Sequence, residues 1–108
     1  MSTKLKTVAF KMRINEGAQA EYKKRHDEIW PELSTLLKDA GICEYRIFLD
    51  EQTRVLFAVM QCPIDFDGDK LAAEPVMKKW WDFMADIMEV HDTNEPISHP
   101  LIDMFYMP

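Results

Sequence analysis

A tyrosine and a histidine four residues apart are the clearest pair of reactive side chains in this sequence. Tyr22 and His26 lie in a run whose apolar residues recur at helical spacing, so both side chains project from one face of the predicted helix. An imidazole, with an unperturbed pKa of about 6.5, accepts and donates protons near neutrality, and a phenol hydroxyl can hold a polyol or pass it a proton. The pair therefore fits acid-base catalysis on a small polar ligand, with simple packing of the two rings as the alternative.

Three further aromatic residues are candidates for the same site. Tyr45 lies on a predicted strand, and its hydroxyl can approach Tyr22 and His26 if that strand face looks toward the helices. Trp80 and Trp81 are neighbours on a second predicted helix and differ by about 100° around it, so both line one cleft only if the cleft is wide. Flat aromatic rings suit the C–H faces of sugars, and core packing is the alternative role of the tryptophans.

No other motif supports metal, phosphate or covalent chemistry. His91 and His99 have Asp92 and Asp103 nearby, but no H-x-x-x-H or H-x-H pair with a third ligand is present. The sequence contains no glycine-rich phosphate loop, no G-x-S-x-G elbow and no acid pair spaced for glycoside hydrolysis. We therefore expect no metal site.

Composition and charge exclude several classes of partner. The 108 residues are 47% hydrophobic, and 13 basic against 19 acidic residues give a net charge of −6, the wrong sign for a protein that neutralises phosphates. The length predicts a single domain over residues 1–108. No stretch approaches the ~20 apolar residues of a membrane span, and no apolar run marks a signal peptide. We expect a cytoplasmic protein whose partners include neither nucleic acid nor membrane.

The two cysteines are predicted to be buried and reduced. Cys43 and Cys62 match no C-x-x-C or zinc spacing, and both fall in predicted strands. Free cysteine behaves as a small apolar residue and is usually buried. The alternation of side chains places Cys43 on the same strand face as Tyr45.

The first half of the sequence predicts a strand followed by a long, interrupted helix. Apolar residues alternate over residues 7–14, which suits a half-buried strand. Helical spacing continues over residues 16–40 until Gly41 supplies a left-handed stop. Because Pro31 lacks an N–H and disfavours helical geometry at the preceding residue, we expect a kink beside His26.

The second half predicts a hairpin, a second helix and a last strand. Strand-like runs over residues 42–49 and 54–62 are joined by four polar residues, which is short enough for a hairpin. A polar connection follows, and Pro75 can occupy the first turn of a helix that ends near Val90. After a loop, residues 101–107 are predicted to form the last strand.

The order β-α-β-β-α-β is that of a ferredoxin-like α+β fold. In this arrangement a four-stranded antiparallel sheet carries both helices on one face. The run over residues 54–62 is apolar on both faces, so the second face of the sheet needs a cover as well. A homodimer that buries two such faces against each other would supply one, and we therefore predict a dimeric α+β barrel.

Several motifs resemble those of the L-rhamnose mutarotase family. They are EYKKRH at residues 21–26, IWPEL at residues 29–33, the tandem tryptophans at 80–81 and the ending FYMP at residues 105–108. The match spans essentially the whole chain. The resemblance implies a cytoplasmic homodimer of ferredoxin-like subunits that interconverts the α and β anomers of L-rhamnose without a metal or organic cofactor.

The resemblance also implies roles for the candidate residues. His26 would be the proton donor, while Tyr22, Tyr45, Trp80 and Trp81 would bind the sugar. Mutarotation opens a cyclic hemiacetal by taking the proton of the anomeric hydroxyl and giving one to the ring oxygen, and it then closes the ring on the other carbonyl face. Acid-base catalysis suffices for this reaction. As a hypothesis, His26 protonates the ring oxygen while a tyrosine or a bound water takes the anomeric proton.

Two alternative functions are compatible with the sequence. Cofactor-free monooxygenases can use the same dimeric α+β barrel with an aromatic pocket, because a fold alone does not assign a function. A non-catalytic sugar-binding module would hold the sugar without accelerating anomer exchange. Selectivity between L-rhamnose and related sugars depends on the shape of the pocket, which the sequence leaves open.

Overall fold

The computed structural model describes residues 4–108 as a four-stranded antiparallel sheet with helices packed on one face. Residues 1–3, where the sequence predicts no signal peptide, lie outside the described part. The elements are β1 (Leu5–Arg13), α1 (Gln19–Asp27), α2 (Pro31–Asp39), β2 (Cys43–Asp50), β3 (Val55–Pro63), α3 (Gly68–Ala72), α4 (Pro75–Met84), a 3-10 turn (Ala85–Ile87) and β4 (His99–Pro100). The strand order β2-β3-β1-β4 confirms the predicted ferredoxin-like order of the sheet.

The alternation along β3 decides which face of the sheet the helices cover. Leu56, Ala58, Met60 and Cys62 are buried, whereas Phe57 is exposed. Successive side chains of a strand point to opposite faces, so the core lies between the helices and one face of the sheet. Nothing within residues 4–108 covers the opposite face, which we call the outer face.

Residues 16–40 form two helices instead of the single kinked helix that the periodicity predicts. α1 ends at Asp27, Trp30 is extended with φ −61° and ψ 134°, and Pro31 is the first residue of α2. Proline suits a first helical position because the N–H there has no intrahelical partner, but it keeps the preceding residue out of the helical region. α1 is therefore a separate helix of nine residues, and contacts with other elements must set its position.

Gly41 ends α2 in the left-handed conformation that the sequence predicts, with φ +86°. Its N–H donates to the carbonyl of Lys38 at 2.9 Å, and the N–H of Ile42 donates to that of Leu37 at 3.1 Å. These are the two bonds of a Schellman motif. A Cβ at this position would lie 2.5 Å from Cγ of Pro63, so the close approach of β3 requires glycine as well.

A bulge in β2 places Cys43 on a different face of the strand from the predicted one. The pairing of β2 with β3 shifts after Cys43, and Glu44 has a φ of +50°. Because an extra residue reverses the alternation of side chains, Cys43 lies opposite Gln61 and is exposed, while Tyr45 faces the helices. Both cysteines are free and Cys62 is buried, as predicted, but the predicted burial of Cys43 is wrong.

The predicted strand over residues 101–107 is also wrong. β4 contains only two residues, and one further bond joins the N–H of Leu101 to the carbonyl of Ala9 at 2.9 Å. Residues 102–108 then leave the sheet, because alternation makes a strand only where the backbone finds a hydrogen-bonding partner. The large apolar side chains of this segment are exposed: Ile102, Met104, Phe105, Tyr106 and Met107.

The remaining predicted elements are confirmed with changed bounds. A tight loop after Asp50 joins β2 to β3 as a hairpin. α4 begins at Pro75 as predicted but ends at Met84, where the chain makes one turn of 3-10 helix. Within residues 4–108, no helix is both long enough and apolar enough to cross a membrane.

Candidate active site

One cavity between the sheet and the helices is lined by all five candidate residues. It has a volume of about 870 Å³, within the range of small-molecule sites of about 300–1,000 Å³. Tyr22 and His26 reach it from α1, Trp80 and Trp81 from α4, and Tyr45 from β2. Most of its wall is formed by apolar side chains of the sheet and helices. The five residues that the sequence singles out therefore face one ligand-sized space.

The hydrogen bond of His26 defines its tautomer. Nδ1 lies 3.0 Å from the backbone carbonyl oxygen of Tyr22. A carbonyl can only accept, so Nδ1 carries the hydrogen and donates it. In the neutral ring Nε2 is then unprotonated, and it is the nitrogen left to accept a proton from a ligand.

Aromatic neighbours bury the imidazole of His26 on two sides. The Tyr22 ring stacks on it with centroids 4.3 Å apart, and Trp80 meets it edge-on at 5.4 Å. This burial lowers the pKa of His26 below its ordinary 6.5, although the bond to the Tyr22 carbonyl and the charge of Asp27 act in the opposite direction. His26 is therefore mainly neutral at pH 7.

The two tyrosines of the cavity stay protonated at neutral pH. Burial raises the pKa of Tyr22 well above its ordinary 10.0, and the nearby Tyr45 raises it further. Although 39% of the Tyr45 residue is exposed, its surroundings shield the phenol from water and raise its pKa to about 12. Both hydroxyls can therefore donate hydrogen bonds to a ligand, but neither is available as a base.

The two tryptophans divide between the core and the cavity. Trp80 is buried, belongs to the main core cluster and meets the Trp30 ring edge-on at 5.1 Å. Trp81 is less buried and lies at the edge of that cluster. Both line the cavity, which is wide enough to satisfy the condition set by their adjacent positions on one helix. Trp80 therefore both packs in the core and lines the cavity.

Sequence reasoning missed several polar residues that line the cavity. They include Lys23 and Asp27 of α1, Asp69 of α3, and Glu95 and Ser98 of the loop before β4. Lys23 and Asp27 pair at 3.1 Å, and their spacing of four residues along the helix is a signal that could have indicated them. The other three come from loop or short-helix positions that no periodicity marks.

The late histidines do not belong to this site. Neither His91 nor His99 lines the cavity, and both are exposed. Over the described range, residues 4–108, no three or more His, Cys, Asp or Glu side chains cluster in a way that could hold a metal ion.

Known protein sequences are similar to this chain over almost its full length. A sequence model of the L-rhamnose mutarotase family matches residues 7–107. An L-rhamnose mutarotase from Formosa agariphila is 50% identical over 103 residues, which are 95% of this chain and 99% of that protein. An L-rhamnose mutarotase from Jannaschia sp. (strain CCS1) is 54% identical over 100 residues, which are 93% of this chain and 96% of that protein. Each match covers almost the whole length of both proteins.

Solved structures extend the likeness to the fold. The crystal structure of an L-rhamnose mutarotase from Formosa agariphila has a TM-score of 0.86 and 52% identity, covering 95% of this chain and 99% of that one. A Pseudomonas aeruginosa protein with 15% identity and a TM-score of 0.56 shares the fold alone. Sequence and structure together show that the chain belongs to the L-rhamnose mutarotase family.

Proposed function

We propose that this chain is an isomerase that interconverts the α and β anomers of L-rhamnose. The observation that carries the proposal is the state of His26, whose Nδ1 donates to the Tyr22 carbonyl and whose Nε2 is left unprotonated in an aromatic cavity. Relatives at about half sequence identity are named L-rhamnose mutarotase, which supports the choice of sugar.

His26 moves one proton between two oxygens that are bonded to the same carbon. Nε2 takes the proton of the anomeric hydroxyl, and the electron pair left on that oxygen forms the carbonyl as the bond from C1 to the ring oxygen breaks. The imidazolium gives its proton to the departing ring oxygen, so no net proton is lost. Rotation about the C1–C2 bond presents the other carbonyl face, and the reverse steps close the ring.

The hydroxyls of Tyr22 and Tyr45 hold the sugar in this scheme. Because burial raises the pKa of both phenols, they act as hydrogen-bond donors and leave acceptance of the anomeric proton to His26. Trp80 and Trp81 offer apolar ring surface to the C–H faces of the sugar. A positioned acid-base group typically contributes ~10²- to 10⁴-fold, so the reaction requires no metal or organic cofactor.

We also propose that the working form is a homodimer joined through the outer face of the sheet. Phe48 and Phe57 are paired across β2 and β3 on that face and are exposed, at 55% and 36%. The apolar segment of residues 102–108 is exposed in the same chain. A second copy would cover both surfaces and complete the predicted dimeric α+β barrel. The cytoplasmic location and the extent of the domain over residues 1–108 stay predictions.

Magnetisation exchange between the two anomeric protons of equilibrated L-rhamnose tests the proposed activity. Catalytic amounts of the protein should raise the exchange rate well above that of the buffer. Binding of L-rhamnose without faster exchange would instead indicate a sugar-binding module. Oxygen consumption with an aromatic substrate, and no effect on L-rhamnose, would indicate a cofactor-free monooxygenase.

A further inference from the structure

Arg25 is next to His26 in α1, but its side chain joins α1 to the far end of α4. Nη1 donates to the carbonyl of Phe83 at 2.7 Å, and the guanidinium forms a two-pronged bond with the carboxylate of Asp86 at 2.8 and 3.2 Å. Nε donates to the carboxylate of Glu21 at 2.7 Å, so all three nitrogens of the guanidinium make hydrogen bonds. Only 12% of the Arg25 side chain is exposed.

These contacts suit the end of a helix. The carbonyl of Phe83 is among the last four of α4, which have no intrahelical partner. A cation at this end interacts favourably with the helix dipole, and a two-pronged bond between arginine and a carboxylate fixes orientation as well as distance. Arg25 therefore locks α1 against the end of α4 and the following turn.

The same two helices meet a second time at the cavity. The guanidinium carbon of Arg25 lies 4.5 Å from the centre of the Phe83 ring, that ring is 5.7 Å from Trp80, and Trp80 meets His26 at 5.4 Å. α1 has only nine residues and Tyr22 as its one buried residue, and so short a helix has little stability of its own. The spacing of His26 and Trp80 therefore depends on what ties α1 to α4.

We propose that Arg25 is a positioning residue for the reaction, which holds α1 against α4 at the spacing that places His26 beside Trp80 in the cavity. The inference rests on the proposed function for its kinetic consequence, since His26 on α1 must meet a sugar that Tyr45 of β2 and the two tryptophans of α4 also contact. Its structural consequence, the burial of the His26 ring against Trp80, is independent of the substrate.

Steady-state kinetics of four variants test the kinetic consequence. For Arg25→Met and Asp86→Asn we expect kcat to fall on the order of 10-fold to 100-fold, because small misplacements of a catalytic group have effects of that size, while KM changes less. Arg25→Lys keeps the charge but loses the two-pronged geometry, so its kcat should lie between those of the parent and Arg25→Met. Lys24→Met removes an exposed charge from the same helix and should match the parent.

The pKa of His26, followed by proton NMR, provides a readout that loss of stability alone would not move. Looser packing against Trp80 should raise this pKa toward its ordinary value, because burial is the main cause that lowers it. Asp86→Asn separates the two possible causes: losing a nearby negative charge would lower the pKa, whereas loosened packing raises it.

The charged groups that line the cavity together with His26 are unchanged in these variants. They are Lys23 and Asp27 of α1, Asp69 of α3 and Glu95 of the late loop, with the phenols of Tyr22 and Tyr45. If Arg25→Met does not fold, Asp86→Asn still tests the inference, since the side chain of Asp86 is 66% exposed. A parental kcat and His26 pKa in folded Asp86→Asn and Arg25→Lys would overturn it. If the parent itself lacks activity, the proposed function fails, and a raised His26 pKa still supports the positioning role.

Discussion

The Nδ1 atom of His26 lies 3.0 Å from the carbonyl oxygen of Tyr22, one helical turn earlier. The spacing of four residues therefore does two things at once. It places the two side chains on one face of α1, where their rings stack, and it brings the backbone carbonyl of the first within reach of the imidazole of the second. That contact leaves Nε2 as the nitrogen that can exchange a proton with a ligand.

Replacing His26 by alanine should remove the proton-transfer group and leave the sugar contacts of the other four residues. We expect anomer exchange to fall on the order of 10²- to 10⁴-fold, while the affinity for L-rhamnose changes far less. NMR magnetisation exchange and calorimetric titration measure the two effects. His91→Ala is the matched control, because His91 is exposed and outside the cavity. Equal exchange rates in His26→Ala and the parent would remove His26 from the mechanism.

The pH dependence of the reaction should follow the lowered pKa of His26. Because the neutral ring is the form that accepts the anomeric proton, the rate should be constant around pH 7 and fall at acid pH as His26 becomes protonated. The lowered pKa places the midpoint of that fall below 6.5. Exchange rates corrected for the buffer-catalysed reaction would show it, and a midpoint above the ordinary histidine value would contradict the assignment.

Removing the hydroxyl of Tyr45 should weaken sugar binding more than catalysis. Tyr45→Phe deletes one hydrogen-bond donor, and a neutral hydrogen bond is worth about 0.5–1.5 kcal/mol, so we expect KM to rise by roughly twofold to tenfold with kcat little changed. The ring itself is kept, which limits effects on packing. A loss confined to kcat would instead assign the Tyr45 hydroxyl to the proton transfer.

A charge on the outer face of the sheet should dissociate the proposed dimer. Phe57→Lys places a second lysine directly across from Lys11 of β1, and a dimer interface over this face would have to bury the new charge without an opposite partner, which is costly. Sedimentation should find a dimer for the parent and a monomer for the variant. A parent that stays monomeric at micromolar concentration would contradict the account of the outer face.

Substitution of two glycines should separate backbone strain from steric clash. Both Gly17 and Gly41 have positive φ, at +77° and +86°, but an added Cβ meets nothing within 4 Å at Gly17 and would lie 2.5 Å from Cγ of Pro63 at Gly41. We expect Gly17→Ala to lower the free energy of unfolding by about 1–2 kcal/mol and Gly41→Ala to lower it by more. Urea denaturation measures both, and equal losses would argue against the clash.

Local patterns in the sequence predict most of the element order. The strand over residues 7–14, the helical stop at Gly41 and the start of α4 at Pro75 are confirmed, because each depends on a few neighbouring residues and their backbone preferences. The pairing of Tyr22 with His26 belongs to this class as well. Residues one helical turn apart lie on the same face of a helix, whichever element that face contacts.

Features that depend on a partner distant in the sequence were decided only by the tertiary structure. The bulge after Cys43 reverses which side chains face the helices, and residues 102–108 form no strand because no backbone in the described chain pairs with them. The cavity likewise exists only because α1, α4 and β2 converge on it. The bond of Arg25 to Asp86 spans 61 positions of the chain. Neighbouring residues thus set which side chains share a local face, whereas folding decided which of those faces meet, since distant contacts depend on how whole elements pack.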